Sequence, residues 1–443
     1  MLNTCHENPM DTHLKLGFRD SYYYRGIARL PIDDHYRHML ISGSSGTGKS
    51  TLLANLWAQH CNAGRGALLI DPHGDLAETA LDLVPPRRIR KTIYINPADL
   101  DNPVGFNVLY GVRPEDRASR AADVVSAFKS VWGDSWGPRL EYILYNSIAA
   151  LLETQGSTLL CIPRLLVNKT YRATITAQLR DPIVSQFWRD EFPQIEKKLG
   201  QEALLPVLNK VGQLLSAPIL RNILGQPKST INPRHLMDNN YLVIANLSKG
   251  RLGEQHANLL GALLVSSFGS TALSRADMPA ADRKCFAMIV DEFPNYTTSA
   301  FISLLSEARK YRLSLTLAHQ YLDQMSDHTR ASVLGNVGSL ITFRVGAEDA
   351  AIFARALSLP NPQQVIDTSK YQAWSRVSQH GQPSDTFLLR TDPPPQSHGN
   401  SSKIIEYSRM HFACRRNDVE SRILRFLAAD HAHTRASRRR TPW

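Results

Sequence analysis

Residues 39–57 constrain the fold more than any other stretch. Met39-Leu40-Ile41 is a short apolar run suited to a buried strand, and Leu52, Leu53, Leu56 and Trp57 recur at helical spacing. Between them lies Gly43-Ser44-Ser45-Gly46-Thr47-Gly48-Lys49-Ser50-Thr51, a G-x-x-x-x-G-K-S turn. From average composition this pattern arises by chance in roughly one chain of this length in fifty, and here it sits on the strand-to-helix turn it requires. It reads as a phosphate-binding P-loop.

Charge explains the residue types. A helix N-terminus offers a polyanion unpaired N–H groups and the positive end of a dipole. Gly43 and Gly48 permit backbone angles and a close approach that a side chain would block. Lys49 reaches terminal phosphates, the Ser50 hydroxyl suits Mg²⁺, and Thr51 suits an α-phosphate. Residues Gly43 to Thr51 are therefore the candidate nucleotide site, with ATP and Mg²⁺ the expected cofactors. A Gly/Ser-rich turn without a ligand is the alternative.

A second stretch completes the chemistry. Cys285-Phe286-Ala287-Met288-Ile289-Val290-Asp291-Glu292 is an apolar strand ending in two acids, the Walker B pattern. Asp291 is expected to hold Mg²⁺ through water, and Glu292 to orient or deprotonate the attacking water. The plainer reading is a buried strand closed by acidic loop residues. Leu313-Ser314-Leu315-Thr316-Leu317-Ala318-His319 forms another buried strand and leaves Gln320 at its carboxyl end, where it can sense a γ-phosphate. Asp71 and His73 end the strand Gly66–Asp71, where open α/β sheets bind ligands; an Asp helix cap and a surface His explain them equally well.

Composition sets the wider frame. A chain of 443 residues with 43% hydrophobic and 21% charged residues has material for two or three domains. Its five cysteines are scattered without a C-x-x-C pair, which argues against a zinc site or a disulfide frame and for a reducing cytoplasm. No run of 18 apolar residues occurs, and the polar N-terminus has no signal-like apolar segment, so no membrane span is expected. The net charge of +11 favours a polyanionic partner.

The order of patterns predicts an α/β fold, a mainly parallel sheet between helices, with an inserted all-α domain. Residues 1–38, including Tyr22-Tyr23-Tyr24, read as a lead-in packing on the core. Residues 39–113 and 228–370 read as a discontinuous ATPase core around a helical insert at 114–227. Residues 371–430 read as a strand and helix extension packing on the core, and 431–443 as an unstructured basic tail carrying Arg435, Arg438, Arg439 and Arg440. The insert's cations, among them Arg117, Arg120, Lys129, Arg172 and Lys210, either face solvent or contact nucleic acid, the former being the commoner use of helix charges.

Lys49 and Asp291 stand well over two hundred residues apart, too far for a minimal P-loop core. With this gap, the stretches GSSGTGKSTLL (43–53), IDPHGDLAE (70–78), WGDSWGPRLEYIL (132–144), LRNILGQPKSTIN (220–232), IVDEFPNYTT (289–298), LLSEARKYRLSLTLAHQYLDQ (304–324) and NVGSLITFRVG (336–346) resemble the HerA/FtsK branch of RecA-like additional-strand P-loop ATPases. More closely, they are similar to the TraG/TraD-type coupling ATPases of conjugative type IV secretion. The resemblance spans roughly residues 15–425, and the block 289–324 is its specific part. It implies a homohexameric ring that hydrolyses ATP between subunits and moves DNA, single or double stranded, through its centre. It also implies an arginine acting in trans, best matched by Arg309 and next by Arg344, and partners such as a relaxase or secretion-channel proteins. The membrane helices that usually begin such proteins have no counterpart here, so any attachment of a cytoplasmic ring to the inner membrane is expected from a partner. Two other uses of the same core are an ATP-switched docking adaptor for protein cargo and a HerA-like repair or defence motor paired with a separate nuclease.

Overall fold

The computed structural model describes residues 12–20 and 25–438; Tyr22-Tyr23-Tyr24, Arg439 and Arg440 lie outside the described residues. The chain divides into two compact units. The first takes residues up to Ile95 and Pro233–Tyr407, the second Asn96–Asn232 and the chain from Ser408.

The described strands all belong to the first unit. They are β1 (His13–Asp20), β2 (Arg25–Pro31), β3 (Met39–Ser42), β4 (Gly66–Asp71), β5 (Thr92–Ile95), β6 (Leu242–Asn246), β7 (Phe286–Val290), β8 (Leu313–His319), β9 (Ser339–Thr342), β10 (Gln372–Arg376), β11 (Ser378–Gln379), β12 (Gln382–Pro383) and β13 (Phe387–Thr391). Eleven form one sheet in the order β2-β1-β13-β10-β9-β3-β8-β7-β4-β6-β5, while β11 and β12 pair separately. From β9 to β5 every pairing is parallel; from β9 through β10, β13 and β1 to β2 every pairing is antiparallel. The expected α/β sheet is thus present, with β8 inserted between the glycine-loop strand β3 and the acid-bearing strand β7.

The two halves read differently in sequence for a physical reason. Strands β3 to β9 carry helices or loops on both faces and are buried at every residue, so they appear as continuous apolar runs. β1 and β10 alternate buried and part-exposed residues, the mark of strands covered on one face. That weaker signal is why the lead-in, expected only to pack on the core, instead supplies two strands of the sheet.

The helix Lys49–Asn62 lies on this sheet with Leu52, Leu53, Leu56 and Trp57 wholly buried. The Trp57 indole donates 3.0 Å to the Ala80 carbonyl and ties this helix to the helix Asp75–Asp82. The helix Glu254–Leu273 is apolar nearly all round. With the turn Ser274–Asp277 that continues it, the stretch Glu254–Asp277 is long and apolar enough to cross a membrane, yet 78% of its most hydrophobic window is buried inside the protein, which marks a core helix.

The second unit is helical and larger than the expected 114–227. It takes in 96–113 and 228–232, and its last helix, Arg416–Arg438, runs through part of the tail expected to be unstructured. Long-range bonds explain the gain: Phe106 N–H donates to the Ile223 carbonyl at 3.0 Å, Asn222 donates to Glu420 at 3.1 Å, and Arg409 pairs with Asp99 at 2.7 Å. Within the unit the helices Phe192–Leu199 and Leu205–Ser216 are separate. Gly200, at φ 55°, ends the first in a conformation only glycine adopts cheaply. Several of the unit's cations are already engaged: Lys129 with Glu141 at 2.9 Å, Arg172 with Glu196 at 3.2 Å, and Lys210 with the Ser135 hydroxyl at 2.7 Å.

Candidate nucleotide site

The loop 43–48 leaves β3, the middle strand of the eleven-stranded sheet, at its carboxyl end, where open α/β sheets place ligands. Its shape is held by its neighbours. Ser44 N–H donates to the Arg344 carbonyl at 2.8 Å, the Thr47 hydroxyl to the Ser44 carbonyl at 2.7 Å, and Tyr371 N–H to the Thr47 carbonyl at 2.9 Å. Gly48 has φ 122°, and a Cβ there would stand 3.0 Å from the Tyr371 ring, so this position accepts only glycine without displacement. At Gly43 a Cβ would sit 2.6 Å from that of Phe343, so the missing side chain lets the loop pack against Phe343.

Lys49 starts the helix and is only 6% exposed. Its ammonium donates to the Gly43 and Ser44 carbonyls. Burial lowers its pKa, opposed by the negative charges of Asp291 and Glu292. Ser50 and Thr51 follow at the mouth of the same cleft.

Asp291 and Glu292 close β7, two strands from β3, and face the loop. Asp291 is buried, and its pKa rises to about 7, through burial first and then the charges of Asp71 and Glu292. Glu292 sits at φ 48°, a left-handed conformation that costs a non-glycine residue about 1–3 kcal/mol. Asn295 holds it there, donating from N–H and side-chain amide to the Glu292 carbonyl at 3.1 and 3.0 Å. One carboxylate oxygen of Glu292 is buried without a hydrogen-bond partner. Asp71 proves to be a helix cap: its two oxygens accept from the N–H groups of His73, Gly74 and Ala77 at 2.8–2.9 Å. His73 lines the cleft as an exposed side chain.

One cleft of about 600 Å³ gathers Ser45, Gly46, Gly48, Lys49, Ser50, Thr51, Asp291, Glu292 and Gln320. Arg309 is not among its lining residues. It lies exposed on the turn Ala308–Tyr311, at the amino end of β8, whereas Gln320 follows the carboxyl end. A seven-residue strand separates them, roughly 20 Å. Lys370, Tyr371, Pro394 and Pro395 also line the cleft and carried no motif; the run Asp392-Pro393-Pro394-Pro395 was the one local hint of a rigid wall.

The residues fit Mg²⁺ and a nucleoside triphosphate. Open space beside Gly46 leaves the loop backbone approachable by phosphates, a buried lysine supplies positive charge, and Asp291, with its raised pKa, beside the unpartnered carboxylate oxygen of Glu292 calls for a cation. Fold and site together define a Mg²⁺-dependent P-loop ATPase.

The family model described as "Helicase HerA, central domain" matches residues 29–266, more than half of the chain, and the chain belongs to that family. Its fold is similar to that of the bacterial conjugative coupling protein TrwBdeltaN70, with TM-score 0.58 and 15% identity over 88% of this chain and 91% of that one. Plasmid coupling protein TrwB in complex with ADP and Mg²⁺ matches with TM-score 0.57 and 16% identity, covering 83% and 88%. VirB4 of Thermoanaerobacter pseudethanolicus matches with TM-score 0.58 and 13% identity, covering 88% and 98%. At these identities the likeness is one of fold. No curated protein matches the chain.

Proposed function

We propose that this chain is an ATP-driven DNA translocase of the type IV secretion coupling kind, working as a ring and hydrolysing ATP at subunit interfaces. The observation that carries the ring is the composition of the cleft. It holds a P-loop lysine, a metal-side acid and an unpartnered carboxylate, yet no arginine lines it among the described residues. Phosphoryl transfer ordinarily draws on such a cation for developing charge. Arg309, exposed and off its own cleft, is free to serve a neighbour's.

Lys49 binds the phosphates, and Ser50 with Asp291, the latter through water, holds Mg²⁺. Bound Mg²⁺ neutralises charge on the phosphate oxygens. The Glu292 carboxylate orients the attacking water and accepts its proton, and Gln320 contacts the terminal phosphate and reports its loss. DNA as the cargo is supported by membership of the HerA helicase family, by the coupling-protein fold and by the net charge of +11. The secretion reading brings a relaxase or channel protein as partner.

The test is ATP turnover with and without single- and double-stranded DNA at low salt, beside Lys49→Ala. Stimulation that disappears in the variant, and that weakens steeply with salt, supports a motor gripping phosphates. Turnover indifferent to DNA refutes it and favours the docking adaptor.

A further inference from the structure

A second cavity, of about 560 Å³, adjoins the phosphate cleft and shares Tyr371 and Pro394 with it. Tyr371 is the wall between them. It adopts φ 64°, which a residue with a side chain holds only when its surroundings impose it. Here they do. Its N–H donates to the Thr47 carbonyl of the P-loop, and its carbonyl accepts from the N–H and hydroxyl of Thr391 at 3.0 and 3.2 Å. The ring edge rests on Gly48, yet the residue remains 39% exposed. The Lys370 ammonium lies 4.9 Å from the ring centroid, so a cation and an aromatic face stand together at the junction of the two cavities.

A strained backbone bonded to the P-loop itself, carrying a half-open ring at the exit of the phosphate cleft, is a platform for whatever extends from the phosphates. We propose that Tyr371 stacks the base of the bound nucleotide, and that the cavity walled by Tyr371, Arg390 and Pro394 takes its nucleoside half. The inference rests on the nucleotide site described above. Aromatic stacking is indifferent to hydrogen-bond pattern, so the platform selects for a base rather than for a particular one.

The test separates base from phosphates. Binding of ADP, and competition by inorganic tripolyphosphate, are measured for the wild type, Tyr371→Ala and Tyr371→Trp, together with the fluorescence of 2-aminopurine riboside triphosphate, which stacking quenches. Base–aromatic stacking predicts a loss of roughly 5- to 100-fold in ADP affinity for Tyr371→Ala. Tripolyphosphate affinity should stay unchanged, the quench should vanish, and both nucleotide signals should return in Tyr371→Trp. Equal losses for ADP and tripolyphosphate would overturn the proposal and make Tyr371 a brace of Gly48. Unchanged ADP binding and quench in Tyr371→Ala would overturn it as well. A wild type that binds neither ADP nor tripolyphosphate would instead refute the nucleotide site on which it rests.

Discussion

Acidification should destabilise the first unit through three buried histidines, His35, His38 and His60. All are almost wholly buried, near the amino ends of the central strands. Their partners suit neutral rings. His38 accepts from Leu315 N–H at 3.1 Å and donates to the Leu305 carbonyl at 3.0 Å, so a second proton would break the first bond. His60 accepts from the Arg65 guanidinium at 3.1 Å and stacks on His35, with ring centroids 5.6 Å apart. Burial, with Arg65 adding, lowers His35 to about 3; burial lowers His38 to about 4 and His60 well below its ordinary value.

The unfolded chain takes up these protons near pH 6.5, whereas the folded chain refuses them until far lower. The stability is therefore complete above pH 6.5 and is lost as pH falls from there toward 4. At pH 5.5 each ring has cost about 1.4 kcal/mol, about 4 kcal/mol for three, against a total stability of about 5–15 kcal/mol. Asp291 acts in the opposite sense. Its raised pKa of about 7 is a cost at pH 7.5 that protonation relieves, returning about 2 kcal/mol by pH 5.5. From pH 7.5 to 5.5, urea unfolding followed by circular dichroism should show a loss of about 2 kcal/mol in the wild type and about 4 kcal/mol in Asp291→Asn. Equal midpoints at both pH values in both proteins, or ring signals of the three histidines titrating near 6.5 in the folded protein by NMR, would refute the reasoning.

Three further outcomes follow from the site and the core. Glu292→Gln should lower ATP turnover by about 10²–10⁴-fold while ATP stays bound, read by phosphate release and filter retention; unchanged turnover would remove Glu292 from the reaction. Arg309→Ala should abolish turnover without weakening ATP binding, and mixing it with Lys49→Ala chains should restore part of the activity, because a hybrid interface joins an intact loop to an intact arginine. No recovery on mixing would refute action in trans. Trp57→Ala should cost about 3–5 kcal/mol, since it empties a fully buried ring site and leaves the Ala80 carbonyl unpaired; a loss under 1 kcal/mol in urea unfolding would mean the neighbouring helices close the gap.

Sequence alone determined what adjacent residues decide. The strand, glycine loop and helix at 39–62 are contiguous, and so are Phe286–Val290 and its two acids, so both halves of the candidate phosphate site were legible, as were the strands buried on both faces. Tertiary structure alone decided what distant residues decide. It placed β8 between β3 and β7, added β1, β2, β10 and β13 as half-covered antiparallel strands, and gave 96–113 and the chain from Ser408 to the helical unit. It turned Asp71 into a cap by bending the chain back so that three N–H groups meet one carboxylate, and it set Tyr371 against Gly48, more than three hundred residues away in the chain. The division has a physical cause. A loop's conformation and a helix's period are written within a few residues by backbone sterics and side-chain spacing. Strand order and cleft walls depend on pairing energies between segments whose meeting no local pattern records.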